Sequence, residues 1–74
     1  MDDKTHELVF IAAAYAGGCE PCLLYHMKAA LQMEVEPHDI KHAIEIGMRV
    51  KEISATREKE LVKRILGDDQ EETP

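Results

Sequence analysis

Glycine and proline divide this chain into three segments, and each segment has the apolar spacing of a helix. Gly17-Gly18 stops the first segment, because glycine tolerates the backbone turn at which a helix ends, and Pro37 suits the first position of a new helix. The predicted helices run from about Thr5 to Ala16, from near Cys19 to about Met33, and from Pro37 towards Leu66. No segment shows the alternation of a strand. The sequence therefore predicts an all-α fold with three helices.

Apolar positions indicate which helix faces are buried. The first helix has a wide apolar face, which predicts a well-buried helix; its members are Leu8, Val9, Ile11, Ala12, Tyr15 and Ala16. The apolar stripe of the third helix thins between Ala55 and Glu60, where a bend or a break is expected. Gly47 lies on that stripe at a cost of roughly 1 kcal/mol relative to alanine. It is either a tolerated imperfection or a close helix crossing, and we favour the crossing.

The length of 74 residues sets the domain organisation. We expect one helical domain at residues 1–67, ended by Gly67, and a disordered acidic tail at residues 68–74. A monomer of this size buries only about 60% of its unfolded surface and usually needs a staple or a partner. Because two cysteines do not make a disulfide framework, oligomerisation is the expected source of extra stability.

A formal net charge of −6 narrows the classes of partner. Lys and Arg residues are interspersed with acids, so nucleic acid and anionic membranes are not expected partners. The first residues lack a basic leader segment, and the apolar run from Leu8 to Ala16 is too short to span a bilayer. We therefore expect a cytoplasmic protein, in which a Cys-x-x-Cys pair cycles, binds metal or has no role.

The two cysteines form a compact group with one histidine. Cys19, Cys22 and His26 follow the spacing i, i+3, i+7, which places them on one face of a helix. A helix N-terminus favours a thiolate at Cys19, and an imidazole one turn after Cys22 can accept its proton or stabilise its thiolate. The spacing does not decide which sulfur is the better nucleophile. It does favour thiol redox chemistry.

Two alternatives remain for this group. In the first, both cysteines are small buried hydrophobic residues and His26 is a hydrogen-bonded core histidine. In the second, zinc is bound by Cys19, Cys22 and His26, with a fourth ligand from His38 or His42. Structural zinc sites usually take their ligands from loops, so zinc is the less favoured alternative. On residue type alone, Glu7 is interpreted as a carboxylate whose charge compensates the dipole at a helix N-terminus.

The motif Glu7…Cys19-x-x-Cys22-x-x-x-His26 resembles that of the AhpD-like alkylhydroperoxidase and carboxymuconolactone decarboxylase superfamily. The surrounding segments "AYAGGC", "KAALQM" and "AIEIGMRVK" are similar as well, and the resemblance covers about residues 5 to 54. It implies an all-α bundle completed by association of subunits, commonly as homotrimers or homohexamers.

The resemblance also implies residue roles without any cofactor. Cys22 would attack a hydroperoxide and pass through a sulfenic acid, and Cys19 would resolve it to a disulfide. His26 would accept the thiol proton, with Glu7 orienting or charging the imidazole. An external dithiol, of the lipoyl or thioredoxin-like kind, would reduce the disulfide.

The chain departs from that pattern in two ways. Pro21 stands where the best-described alkylhydroperoxidase pattern has an additional histidine, which removes one member of the proton relay. The chain is also shorter than the two-repeat members. Decarboxylation is not expected, because the decarboxylase branch usually lacks the cysteine pair. Two hypotheses follow: a thiol–disulfide oxidoreductase that reduces small hydroperoxides or disulfides, or a non-catalytic oligomeric module whose Cys/His group is structural or binds metal.

Overall fold

A computed structural model describes residues 1–67, and the tail predicted at residues 68–74 lies outside them. Three α-helices form this part of the chain: α1 (Asp3–Gly17), α2 (Glu20–Gln32) and α3 (Pro37–Leu66). The all-α prediction is confirmed. Helix α3 runs without interruption, so of the two alternatives for the segment from Ala55 to Glu60, a bend or a break, the break does not occur. Within residues 1–67, none of the helices has both the length and the apolar character needed to cross a membrane.

Local capping explains where α1 begins and ends. The Thr5 backbone N–H donates to the Asp2 carboxylate at 2.7 Å, which starts the helix two residues earlier than expected and holds the pKa of Asp2 below its usual value. At the other end, Gly18 has a φ of 73°. Its N–H donates to the Tyr15 carbonyl, and the Cys19 N–H donates to the Ala14 carbonyl. These two bonds form a Schellman motif.

The same motif ends α2, but without glycine. Glu34 occupies the left-handed position with a φ of 64°. The Glu34 N–H donates to the Leu31 carbonyl and the Val35 N–H to the Ala30 carbonyl, both at 3.0 Å. Val35 is buried, so its side chain anchors the turn in the core.

Helix α1 is central and packs against both α2 and α3, which barely touch each other. The core is small and aliphatic; its buried members are Ile11, Ala30, Val35, Ile40 and Ala43. The expected burial of the whole apolar face of α1 is wrong for Val9, which is half exposed in the single chain. The reason is that α2 and α3 cover only part of the α1 surface.

Helix α3 crosses α1 at Gly47, which confirms the predicted close crossing. A Cβ atom at Gly47 would lie 2.6 Å from the Ala12 carbonyl oxygen and 2.9 Å from the Tyr15 Cβ. Only a glycine permits this approach. Beyond the crossing, every residue from 48 to 67 is exposed, so the second half of α3 projects from the body of a molecule 50 × 20 × 18 Å in extent.

Candidate functional site

The two cysteines lie at the joint between α1 and α2. Cys19 is the N-cap of α2, and its backbone N–H also closes the end of α1 through Ala14. The Cys22 backbone N–H donates to the Cys19 Sγ at 3.3 Å. Thus Cys19 sits where the positive end of the helix dipole and a backbone donor both favour negative charge on sulfur.

Cys19 and Cys22 form a disulfide, with their Cα atoms 5.3 Å apart. Cys19 is half-buried and Cys22 is exposed. The alternative in which both cysteines are buried hydrophobic residues is therefore wrong. An exposed disulfide at a helix N-terminus can be reached by an external thiol.

His26 lies one turn after Cys22 on the same face of α2 and contacts Glu7 of α1. The His26 Nδ1 is 2.7 Å from the Glu7 Oε1, and both side chains are largely buried, with exposed fractions of 17% and 12%. Ionised glutamate only accepts, so Nδ1 carries the hydrogen and donates it. In the neutral imidazole, the Nε2 lone pair is then left to take up a proton.

The contact with His26 distinguishes a role in the site from dipole compensation for Glu7. Glu7 and His26 are 19 positions apart in the sequence, and only the packing of α1 against α2 brings them together. A Glu whose side chain is nearly buried against an imidazole is not a solvated dipole-compensating residue. The structure therefore brings four of the sequence-predicted site residues to one corner of the molecule: Glu7, Cys19, Cys22 and His26.

Aromatic rings surround the imidazole, and sequence reasoning missed this feature. The Phe10 ring stacks on His26 with centroids 4.2 Å apart and planes 1° from parallel, and the Tyr25 ring meets His26 edge-on at 5.0 Å. His6 in turn packs edge-on against Phe10 at 4.8 Å. The available signal was spacing: Phe10 follows Glu7 by three residues and so shares its face of α1.

The zinc alternative finds no support in this arrangement. His38 and His42 are exposed on α3, and His42 faces Glu45 at 3.8 Å. Over residues 1–67, His, Cys, Asp and Glu side chains do not gather into any group of three that could hold a metal ion. In the disulfide form, the two sulfurs have no thiolate to offer a metal.

A comparison of the sequence with protein-family models identifies the family of the chain. The model of the carboxymuconolactone decarboxylase family matches residues 1–58 of the chain. The chain belongs to this family. Searches of curated proteins and of solved structures returned no significant match. The family match covers all of the residues in the candidate site and extends to residue 58, inside the exposed part of α3.

Proposed function

We propose that this member of the carboxymuconolactone decarboxylase family is a thiol–disulfide oxidoreductase that reduces hydroperoxides through Cys19 and Cys22. The observation that carries the proposal is an exposed Cys19–Cys22 disulfide beside the Glu7–His26 pair. A redox-active thiol needs a second thiol in bonding range and a group that manages its proton. This corner supplies both.

In the oxidising half-cycle, the Cys22 sulfur attacks one oxygen of the hydroperoxide. The thiol proton passes to the His26 Nε2 and then to the departing alkoxide, so the O–O bond breaks and an alcohol leaves. Cys22 becomes a sulfenic acid. The Cys19 thiol attacks the sulfenic sulfur, water departs and the disulfide forms. Glu7 stabilises the transient imidazolium through its bond to Nδ1.

In the reducing half-cycle, an external dithiol supplies two electrons. Its thiolate attacks Cys22, the more exposed cysteine, and expels Cys19 as a thiolate. The Cys22 N–H and the α2 dipole favour this leaving group. The second thiol of the donor then attacks the mixed disulfide and releases Cys22. A lipoyl or thioredoxin-like dithiol has the required chemistry.

We also propose that the active form is a homo-oligomer, a homotrimer or a homohexamer. The core of the single chain is small, and the second half of α3 has large apolar side chains on its exposed surface, among them Ile53, Leu61 and Ile65. A helix derives most of its stability from packing of an apolar face, and a projecting helix has none within its own chain.

The test of the redox function is dithiothreitol-dependent consumption of cumene hydroperoxide by the wild type, Cys22→Ser and Cys19→Ser. We expect turnover by the wild type and its loss, by at least about 100-fold, in both variants, because the cycle needs both sulfurs. Single-turnover oxidation separates the roles: Cys19→Ser forms a sulfenic acid that dimedone traps, and Cys22→Ser does not.

Wild-type turnover no faster than buffer would remove the peroxidase proposal. A stable disulfide that dithiothreitol and lipoamide both fail to reduce would go further and favour the non-catalytic module. Serine is a suitable control replacement at position 19, because its hydroxyl can also cap α2.

A further inference from the structure

We propose that Phe10 is a positioning residue that fixes the plane of the His26 imidazole; this inference rests on the proposed function only for its kinetic consequence. Phe10 stands one turn after Glu7 on α1, so one helix face presents both a hydrogen-bond acceptor and a flat apolar surface to His26.

The Glu7 bond alone does not determine the orientation of the ring. A single hydrogen bond fixes the position of the Nδ1 atom, but the imidazole can still swing about that point. The parallel Phe10 ring at 4.2 Å restricts this motion from one side, and the Tyr25 edge at 5.0 Å adds a second, nearly perpendicular contact. Together the three contacts define the ring plane.

The plane matters because the Nε2 lone pair lies within it. A proton can be transferred only along that direction, and general-base catalysis depends on such alignment. Thus Phe10 acts on the thiol through His26, without being required to touch a substrate.

The exposure of Phe10 distinguishes the positioning of His26 from a contribution to the hydrophobic core. Its side chain remains 40% exposed, and it does not belong to the buried cluster around Ile11. Because Phe10 lies outside that cluster, loss of its ring leaves no cavity among the buried core residues. Removal of its ring should therefore disturb the imidazole more than it disturbs folding.

Three variants test this proposal. Phe10→Leu is the test variant, because it removes the flat aromatic face but keeps an apolar side chain. The two controls are Phe10→Tyr, which keeps the ring, and Val9→Ala, which changes a neighbouring exposed residue outside the stack. The readouts are the ¹⁵N shifts of the His26 ring, the iodoacetamide alkylation rate of reduced Cys22 in a Cys19→Ser background, and kcat and KM for cumene hydroperoxide. Circular dichroism reports helicity, and Phe10→Met replaces Phe10→Leu if the latter does not fold.

For Phe10→Leu we expect broadened ¹⁵N signals from a His26 ring that samples several orientations, alkylation slower by about tenfold, and kcat lower by about tenfold with KM nearly unchanged. Phe10→Tyr and Val9→Ala should stay within about twofold of the wild type. A wild-type ¹⁵N pattern and alkylation rate in Phe10→Leu would overturn the proposal. If the wild type itself lacks turnover, the proposed function fails, while the ¹⁵N and alkylation results still decide the role of Phe10.

Discussion

At the scale of single residues, the site depends on the contrast between two carboxylate–imidazole pairs in one small protein. Glu7 and His26 are 2.7 Å apart and largely buried, whereas Glu45 and His42 are 3.8 Å apart with side chains 71% exposed. Water weakens the second pair and reaches the first far less. Only the first pair can hold its imidazole in one tautomer.

Substitution of Glu7 tests whether proton transfer through His26 depends on the negative charge of Glu7 or only on its hydrogen bond to the imidazole. Glu7→Gln keeps a carbonyl oxygen that can accept the Nδ1–H bond but removes the charge that stabilises an imidazolium. We expect peroxide turnover to fall by about 10- to 100-fold with helicity retained. Initial rates measured beside Glu45→Gln, the exposed counterpart, provide the check. Equal rates in Glu7→Gln and the wild type would contradict an electrostatic role.

At the scale of helices, the crossing of α1 and α3 requires Gly47. The Ala12 carbonyl oxygen occupies the place where a methyl group would stand, and a backbone atom cannot rotate away. We expect Gly47→Ala to lower the free energy of unfolding by about 1–3 kcal/mol, despite the higher helix propensity of alanine.

Gly17→Ala is the matched control for this change. Gly17 also lies in a helix, and a Cβ there would meet nothing within 4 Å, so its replacement should leave stability unchanged or raise it by up to about 1 kcal/mol. Urea unfolding followed by circular dichroism measures both variants. Similar stabilities of Gly47→Ala and Gly17→Ala would show that the crossing relaxes freely.

Sequence reasoning reached the helices because their limits are marked by local chemistry. Gly17-Gly18 and Pro37 act on the backbone within a few residues, and Gly47 on an apolar stripe has few explanations other than a close crossing. The break between Met33 and Pro37 was predicted, but the left-handed conformation of Glu34 was not, because glutamate has no preference for a positive φ.

The sequence likewise predicts only those features of the site that depend on local spacing. Cys19, Cys22 and His26 share a helix face by spacing alone, so their grouping follows from the sequence. The approach of Glu7 and the stacking of Phe10 depend on how α1 and α2 cross, and no local pattern encodes that angle. The resemblance to the family identified Glu7, whereas nothing in it pointed to Phe10.

At the scale of the whole molecule, one part of the described chain is well packed and another part is not. A compact corner of α1, α2 and the first part of α3 contains the core and the site, while residues 48–67 project into solvent with their apolar side chains uncovered. Soluble monomers rarely leave such a surface free. This imbalance is the structural reason to expect self-association.

Charged substitutions on the projecting helix test that expectation. We expect the wild type to sediment as a species larger than its 8.4 kDa monomer, and the double variant Ile53→Glu/Leu61→Glu to shift towards the monomer, because buried unpaired carboxylates are costly. Leu24→Glu, an exposed apolar position on α2, should leave the assembly intact. Dissociation by Leu24→Glu but not by the double variant would place the interface elsewhere.

The side chains of the site all come from one short stretch of the sequence. From Glu7 to His26 the site occupies one contiguous stretch of two consecutive helices and the turn between them, and α3 contributes none of its four side chains. The entropic cost of closing so short a loop is small, and the helices and the Gly18 turn already reduce it. The proposed redox centre is therefore encoded in one short run of consecutive residues, and a single gene segment carries all of its side chains.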